Sequence, residues 1–180
     1  MNKKMSIKEM TIVACFTAVI CVCSQISIPM PYGVPMTLQT LIIPIVGIVL
    51  GTRLGTITTV LYIVLGIIGL PVFAGFTGGI GILFGPTGGF IISFPILALT
   101  AGIGSTKDNK AMLWLYLILG TIINYIVGML IFSLVTNYSL AIAFSACVLP
   151  FIPTAIIKIG LTYLFGVRMK ELVGRRVAIL

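Results

Sequence analysis

Charged side chains are too sparse in this sequence to give it a surface that water would solvate. Asp, Glu, Lys and Arg make up 8% of the residues, whereas a soluble domain carries about a quarter. Lipid must therefore be the solvent for most of the chain. With 180 residues, there is room for one membrane domain and none for a nucleotide-binding domain.

Each helical crossing of a bilayer takes roughly 20 apolar residues. Apolar runs at 7–28, 37–52, 54–68, 87–104, 111–135 and 149–167 predict an all-α integral membrane protein with six transmembrane helices. The first run continues to about Ile28 with no Ala-x-Ala site near its end, which reads as a retained helix and not a cleaved leader. The second and third runs are separated by little more than Gly51-Thr52-Arg53. Pro29, Pro31 and Pro35 make the first link irregular, because each Pro removes a backbone donor. The third link, from Gly69 to Gly89, is dense in Gly and Pro yet apolar. Irregular backbone at membrane depth is tolerated only where it is buried in protein or lines a cavity. The stretch 168–180 is predicted to be a basic cytoplasmic tail lying on the membrane surface.

The cations divide by side. Lys3, Lys4, Lys8, Arg53, Lys107, Lys110, Arg168, Lys170, Arg175 and Arg176 fall at the termini and in the second and fourth links, which six crossings place on one face. The positive-inside rule puts both termini in the cytoplasm and leaves the Pro-rich and Gly-rich links outside, together, as ordered loops over a ligand pocket. The net charge of +8 is thus a topology signal, and no nucleic-acid partner is expected.

The acids are Glu9, Asp108 and Glu171, all at expected cytoplasmic ends. No carboxylate is left within a span to serve a proton relay, an acid/base pair or a metal. No His occurs, and Cys15, Cys21, Cys23 and Cys147 lie in apolar stretches without metal-ligand spacing. They read as small buried hydrophobes. The Gly-rich link lacks a Gly-Lys-Ser or Gly-Lys-Thr ending, so it is no phosphate loop. The chain reads as a binding protein and not an enzyme, with no cofactor and no metal.

Lys158 is the one charge well inside a span, away from its ends. An intramembrane Lys faces the protein interior and needs a partner, and no acidic side chain is at that depth. Pairing with carbonyls and hydroxyls is one answer. An anionic ligand entering from outside is the sharper one. Asn124, midway along the fifth helix, is either helix–helix glue or a ligand contact. Gln39 can donate and accept, which suits an amide-like ligand. Thr37 beside it either joins the site or caps the helix. Phe73 and Phe90 are candidates for an apolar wall, and Gly79 for a place where backbone approaches a ligand. Ala14 and Ala18 form a small-xxx-small pair that lets helices approach closely in lipid.

Val34-Pro-Met-Thr-Leu-Gln-Thr-Leu41, Gly69-Leu-Pro-Val-Phe-Ala-Gly75, Gly85-Pro-Thr-Gly-Gly89 and Pro150-Phe-Ile-Pro153 with Lys158 five residues later together resemble BioY, the biotin-specific S components of energy-coupling factor (ECF) transporters. The resemblance covers nearly the whole chain. It implies a multi-pass protein of a prokaryotic plasma membrane that captures biotin from outside. Its partners would be a transmembrane T component and two ATPase subunits. It implies further that Ala14 and Ala18 face the T component, and that Lys158, Asn124 and Gln39 read the vitamin's polar groups. The family pattern Pro-Phe-x-Pro-Gly-Asp-x-x-Lys is broken here, with Thr154 and Ala155 in place of Gly and Asp. That departure keeps open a different vitamin or small carboxylate. A facilitator that works without partners is the other alternative.

Overall fold

The computed structural model describes residues 5–107 and 109–177, with side chains through Val173. Lys3, Lys4 and Asp108 lie outside the described residues, as do the side chains of Arg175 and Arg176 and the segment 178–180.

Helix α1 spans Ile7–Cys23. Ser6 and Glu9 form a reciprocal capping box, with Glu9 accepting from Ser6 N at 2.8 Å, which satisfies two of the orphan donors at the helix start. The helix ends at Cys23 and not near Ile28. The chain turns after Ser24, and Ile28 enters a two-residue strand, β1 (Ser27–Ile28), antiparallel to β2 (Met36–Thr37). The Pro-rich link is therefore a short hairpin, its turn formed by Pro31–Gly33 with Tyr32 and Gly33 at positive φ.

Helix α2 runs Gln39–Ile67 but reverses at Gly51. A Cβ placed on Gly55 would lie 2.8 Å from Gly47 Cα, and Gln39 Nε2 donates to Tyr62 Oη at 2.6 Å. In a straight helix residues 39 and 62 would stand about 34 Å apart, so α2 is a helical hairpin of two arms. Gly51 makes the reversal with φ 74° and ψ 178°, a conformation essentially confined to glycine. Gly51→Ala meets no atom within 4 Å, so its cost is purely that of the backbone. It is expected to destabilise the protein by about 1–3 kcal/mol, read as a lower melting temperature in detergent.

The Gly-rich link, closed by a bridge between Phe73 and Thr77 and a 3-10 turn at Ile80–Phe84, leads into α3 (Gly88–Ser105). Helix α4 (Lys110–Thr136) is capped by Asn109, which accepts from Ala111 N at 2.8 Å, and stops at left-handed Asn137. Helix α5 (Leu140–Cys147) meets α6 (Ile152–Val177) through a 3-10 turn at Leu149–Phe151. Helix α6 runs on through the basic segment expected to be a separate tail, because Arg, Met, Lys, Glu and Leu are good helix formers.

Helix α3 lies at the centre, packed on α2 on one side and α4 on the other. Glycines permit this. A Cβ on Gly47 would fall 2.3 Å from Ala98 O, one on Gly102 2.6 Å from Thr52 Cα, and one on Gly89 2.6 Å from Val127 O. Small residues at such crossings let backbones meet where lipid offers no hydrophobic drive to associate. Among the described residues, four helical stretches are long and apolar enough to cross a membrane: α2, α3, α4 and Leu140–Val173, which joins α5 to α6.

Among the described residues, charges other than Lys158 gather toward one end of the bundle. Arg53, at the α2 reversal, sits 3.9 Å from Glu9 near the start of α1. Lys170, late in α6, donates to Ser105 O at the end of α3. The hairpin and the Gly-rich link lie at the opposite ends of these helices.

Candidate ligand-binding site

A cavity of about 340 Å³ opens beneath the hairpin and the Gly-rich link. Small-ligand pockets begin at about this size and are mostly apolar with a few placed polar groups. Its wall follows that pattern. Phe73 comes from the Gly-rich link, Phe90 and Phe94 from α3, Tyr125 from α4, and Cys147 and Phe151 from the α5–α6 junction. Thr37, Gln39, Thr40, Thr77, Thr87 and Lys158 supply polar groups.

Lys158 is half-buried on α6. Its ammonium donates to Thr37 O at 2.7 Å and to Thr40 Oγ1 at 3.0 Å. An ammonium has three donors, and these contacts are to uncharged oxygens. Among the described residues the one ion pair is Arg53–Glu9, at the far end of the bundle. The cavity thus holds a positive charge with no carboxylate against it, a costly arrangement unless something anionic completes it.

Gln39 is buried and held from both sides. Its Oε1 accepts from Thr37 Oγ1 at 2.8 Å and its Nε2 donates to Tyr62 Oη. Tyr62 passes the chain of bonds to Val72 O at 3.2 Å. Thr37 is the last residue of β2, and its backbone carbonyl turns to Lys158 while its hydroxyl turns to Gln39. The β1–β2 pairing and the start of α2 therefore fix cation and amide in one frame.

The apolar wall depends on absent side chains. A Cβ on Gly66 would lie 2.1 Å from Phe73 Cζ, and one on Gly128 would lie 2.3 Å from Phe90 Cε1. Each ring fills the space a glycine leaves. Phe73 also stands edge-on to Tyr62, with centroids 5.6 Å apart.

Lys158, Gln39, Thr37, Phe73 and Phe90 are thus brought together at one cavity. Asn124 and Gly79 are not among its lining residues. Asn124 is fully buried and donates to Phe90 O at 3.0 Å and Ser93 Oγ at 2.7 Å, tying α4 to α3 as interhelical glue. Its neighbour Tyr125 reaches the cavity instead, one residue being about 100° of helix rotation. Gly79, at φ 97°, anchors the base of the Gly-rich link through its N–H to Gly66 O at 2.7 Å. Ala14 and Ala18 are exposed on α1, away from the cavity. Thr40 is a lining residue that the sequence reading does not single out, although its place beside Gln39 in a polar cluster that opens an apolar run is the signal that would find it. Phe94, Cys147 and Tyr125 carry no such mark. Ala155, one turn before Lys158, is buried and lines an apolar groove between α4 and α6 with Ile122, Met129 and Ile159.

Residues 1–175 match the model of the BioY family. The chain is 38% identical over 166 residues to "Probable biotin transporter BioY" of Pyrococcus horikoshii, covering 92% of this chain and 98% of that protein. It is 36% identical over 160 residues to "Biotin transporter BioY" of Thermotoga maritima, covering 87% and 92%. The fold is similar to a crystal structure of the S-component for biotin from an ECF-type ABC transporter, with a TM-score of 0.84, 30% identity, and 93% and 95% of the two chains covered. The chain belongs to the BioY family.

Proposed function

We propose that this chain is the substrate-binding subunit of an ECF-type importer and that it takes up biotin into its cavity. It is a multi-pass protein of a prokaryotic plasma membrane and binds its substrate without transforming it. The observation that carries the reading is Lys158, a cation facing a cavity of small-ligand size whose partners among the described residues are neutral oxygens. Biotin carries one carboxylate, a ureido group that suits Gln39 and the threonines, and a thioether ring system that suits the phenylalanines.

The topology we propose has six crossings: α1, the two arms of α2, α3, α4 and the α5–α6 stretch. The proximity of Arg53 to Glu9 and of Lys170 to Ser105 supports it, since it gathers cations at one end, which becomes the cytoplasmic face. The cavity then opens outward. A transmembrane T component and two ATPase subunits supply the energy, and Ala14 and Ala18, exposed on α1, form the smooth face on which the T component docks.

Calorimetry on the purified protein tests the reading with two ligands. Biotin is expected to bind tightly, and biotin methyl ester about tenfold or more weaker, because esterification removes the charge that Lys158 would meet. A folded protein that ignores biotin sinks the proposal. Equal binding of acid and ester would move the carboxylate away from Lys158.

A further inference from the structure

The tip of the Gly-rich link is held from just past the end of α1, a helix that contributes nothing to the cavity wall. Phe73 N donates to Thr77 O at 2.9 Å, closing a tight turn over Ala74, Gly75 and Phe76. Gly75 takes its positive φ without cost. Phe76 does not: it sits at φ 57° with its ring exposed to 73%, and a non-glycine residue stays there only where its surroundings hold it.

What holds it is Gln25, just past the end of α1. Its Oε1 accepts from Phe76 N at 2.9 Å, and its Nε2 donates to Val72 O at 3.1 Å. One amide therefore grips both sides of the turn, and the two partners fix which end is oxygen, since Phe76 offers only a donor and Val72 only an acceptor. Val72 O accepts from Ser24 Oγ and Tyr62 Oη as well. Between the gripped residues lie Phe73 and Ala74, which line the cavity, whereas Gln25 does not.

We propose that Gln25 is a positioning residue that latches the 73–77 turn over the cavity and thereby sets how fast bound ligand leaves. The proposal rests on the biotin-binding reading above. Gln25 also donates to Cys21 O at 3.1 Å, so a merely structural role at the end of α1 must be distinguished from the latch.

The test compares wild type, Gln25→Ala and Gln25→Glu in the same detergent, with two readouts. Hydrogen exchange of peptides covering 72–79 is measured without ligand, and release of labelled biotin is measured by chase with unlabelled biotin. Gln25→Ala is expected to speed exchange at the turn and to accelerate release about tenfold, the scale of two lost hydrogen bonds, with little change in association rate. Gln25→Glu keeps the acceptor for Phe76 N–H and loses the donor to Val72 O, so its release rate should fall between the two. Unchanged release in Gln25→Ala overturns the proposal, as does unchanged exchange at the turn. If wild type fails to bind biotin, the binding reading falls, and the exchange measurement still decides whether Gln25 holds the turn.

Discussion

Lys158→Met is expected to weaken biotin binding by about 2–4 kcal/mol, a factor of ~30 to ~1,000 in Kd, without lowering the melting temperature of the ligand-free protein. The two halves have one cause. In the free protein the ammonium is half-buried and, among the described residues, donates to Thr37 O and Thr40 Oγ1, so it carries a desolvation cost that neutral oxygens offset in part. Replacing such a charge by an apolar side chain of similar length is often neutral or stabilising. When an anionic ligand enters, the balance reverses, and the variant leaves a carboxylate in an apolar cavity with no cation to meet it. Calorimetry and thermal melting on the same preparation measure both signs. A variant that binds normally removes Lys158 from the site. One that loses both binding and stability would make Lys158 a structural tether between α6 and β2.

Gly47→Ala is expected to cost about 3 kcal/mol or more, seen as a fall in melting temperature on the order of 10 °C. The new methyl would lie 2.3 Å from Ala98 O and 3.1 Å from Ala98 Cα. Both are backbone atoms on the central helix, so neither can rotate aside. The arm would have to lift by about an ångström, loosening a contact that runs on to Thr52 and Gly102 and forfeiting dispersion along its length. Gly160→Ala is the control. It lies in α6 with nothing within 4 Å, and is expected to be neutral or to stabilise by up to ~1 kcal/mol. Equal losses in the two variants would show that helix propensity, and not close approach, governs these glycines.

Lys158 was legible in the sequence because a lone charge in an apolar run has few explanations. Thr37 and Gln39 were legible because polar residues open an apolar segment there. Asn124 was equally conspicuous, but its role depends on helix phase, and a single sequence does not fix which way α4 faces. The reversal at Gly51 showed as a break between two short apolar runs. The apolar run extends five residues beyond the end of α1, since Ile26 and Ile28 continue it into a strand and hydropathy alone does not separate the two. The sequence reads as a tail from Arg168 onward, yet α6 continues through Arg168 and Lys170, because charge marks the edge of the membrane and not the end of a helix. The grip of Gln25 on Phe76 joins residues 51 apart and leaves no periodic trace.

Helix α1 packs chiefly on α2, with Glu9 beside Arg53 at one end and Gln25 just past the other. Were it to tilt about the charged end, it would act as a lever. From Glu9 to Cys23 its arm is about 21 Å, so a rigid tilt of only about 5° carries the far end roughly 2 Å, more than a hydrogen bond tolerates. Such a tilt would thus be multiplied at the mouth of the cavity, against the packing of buried Val13, Thr17 and Ile20 on the rest of the bundle.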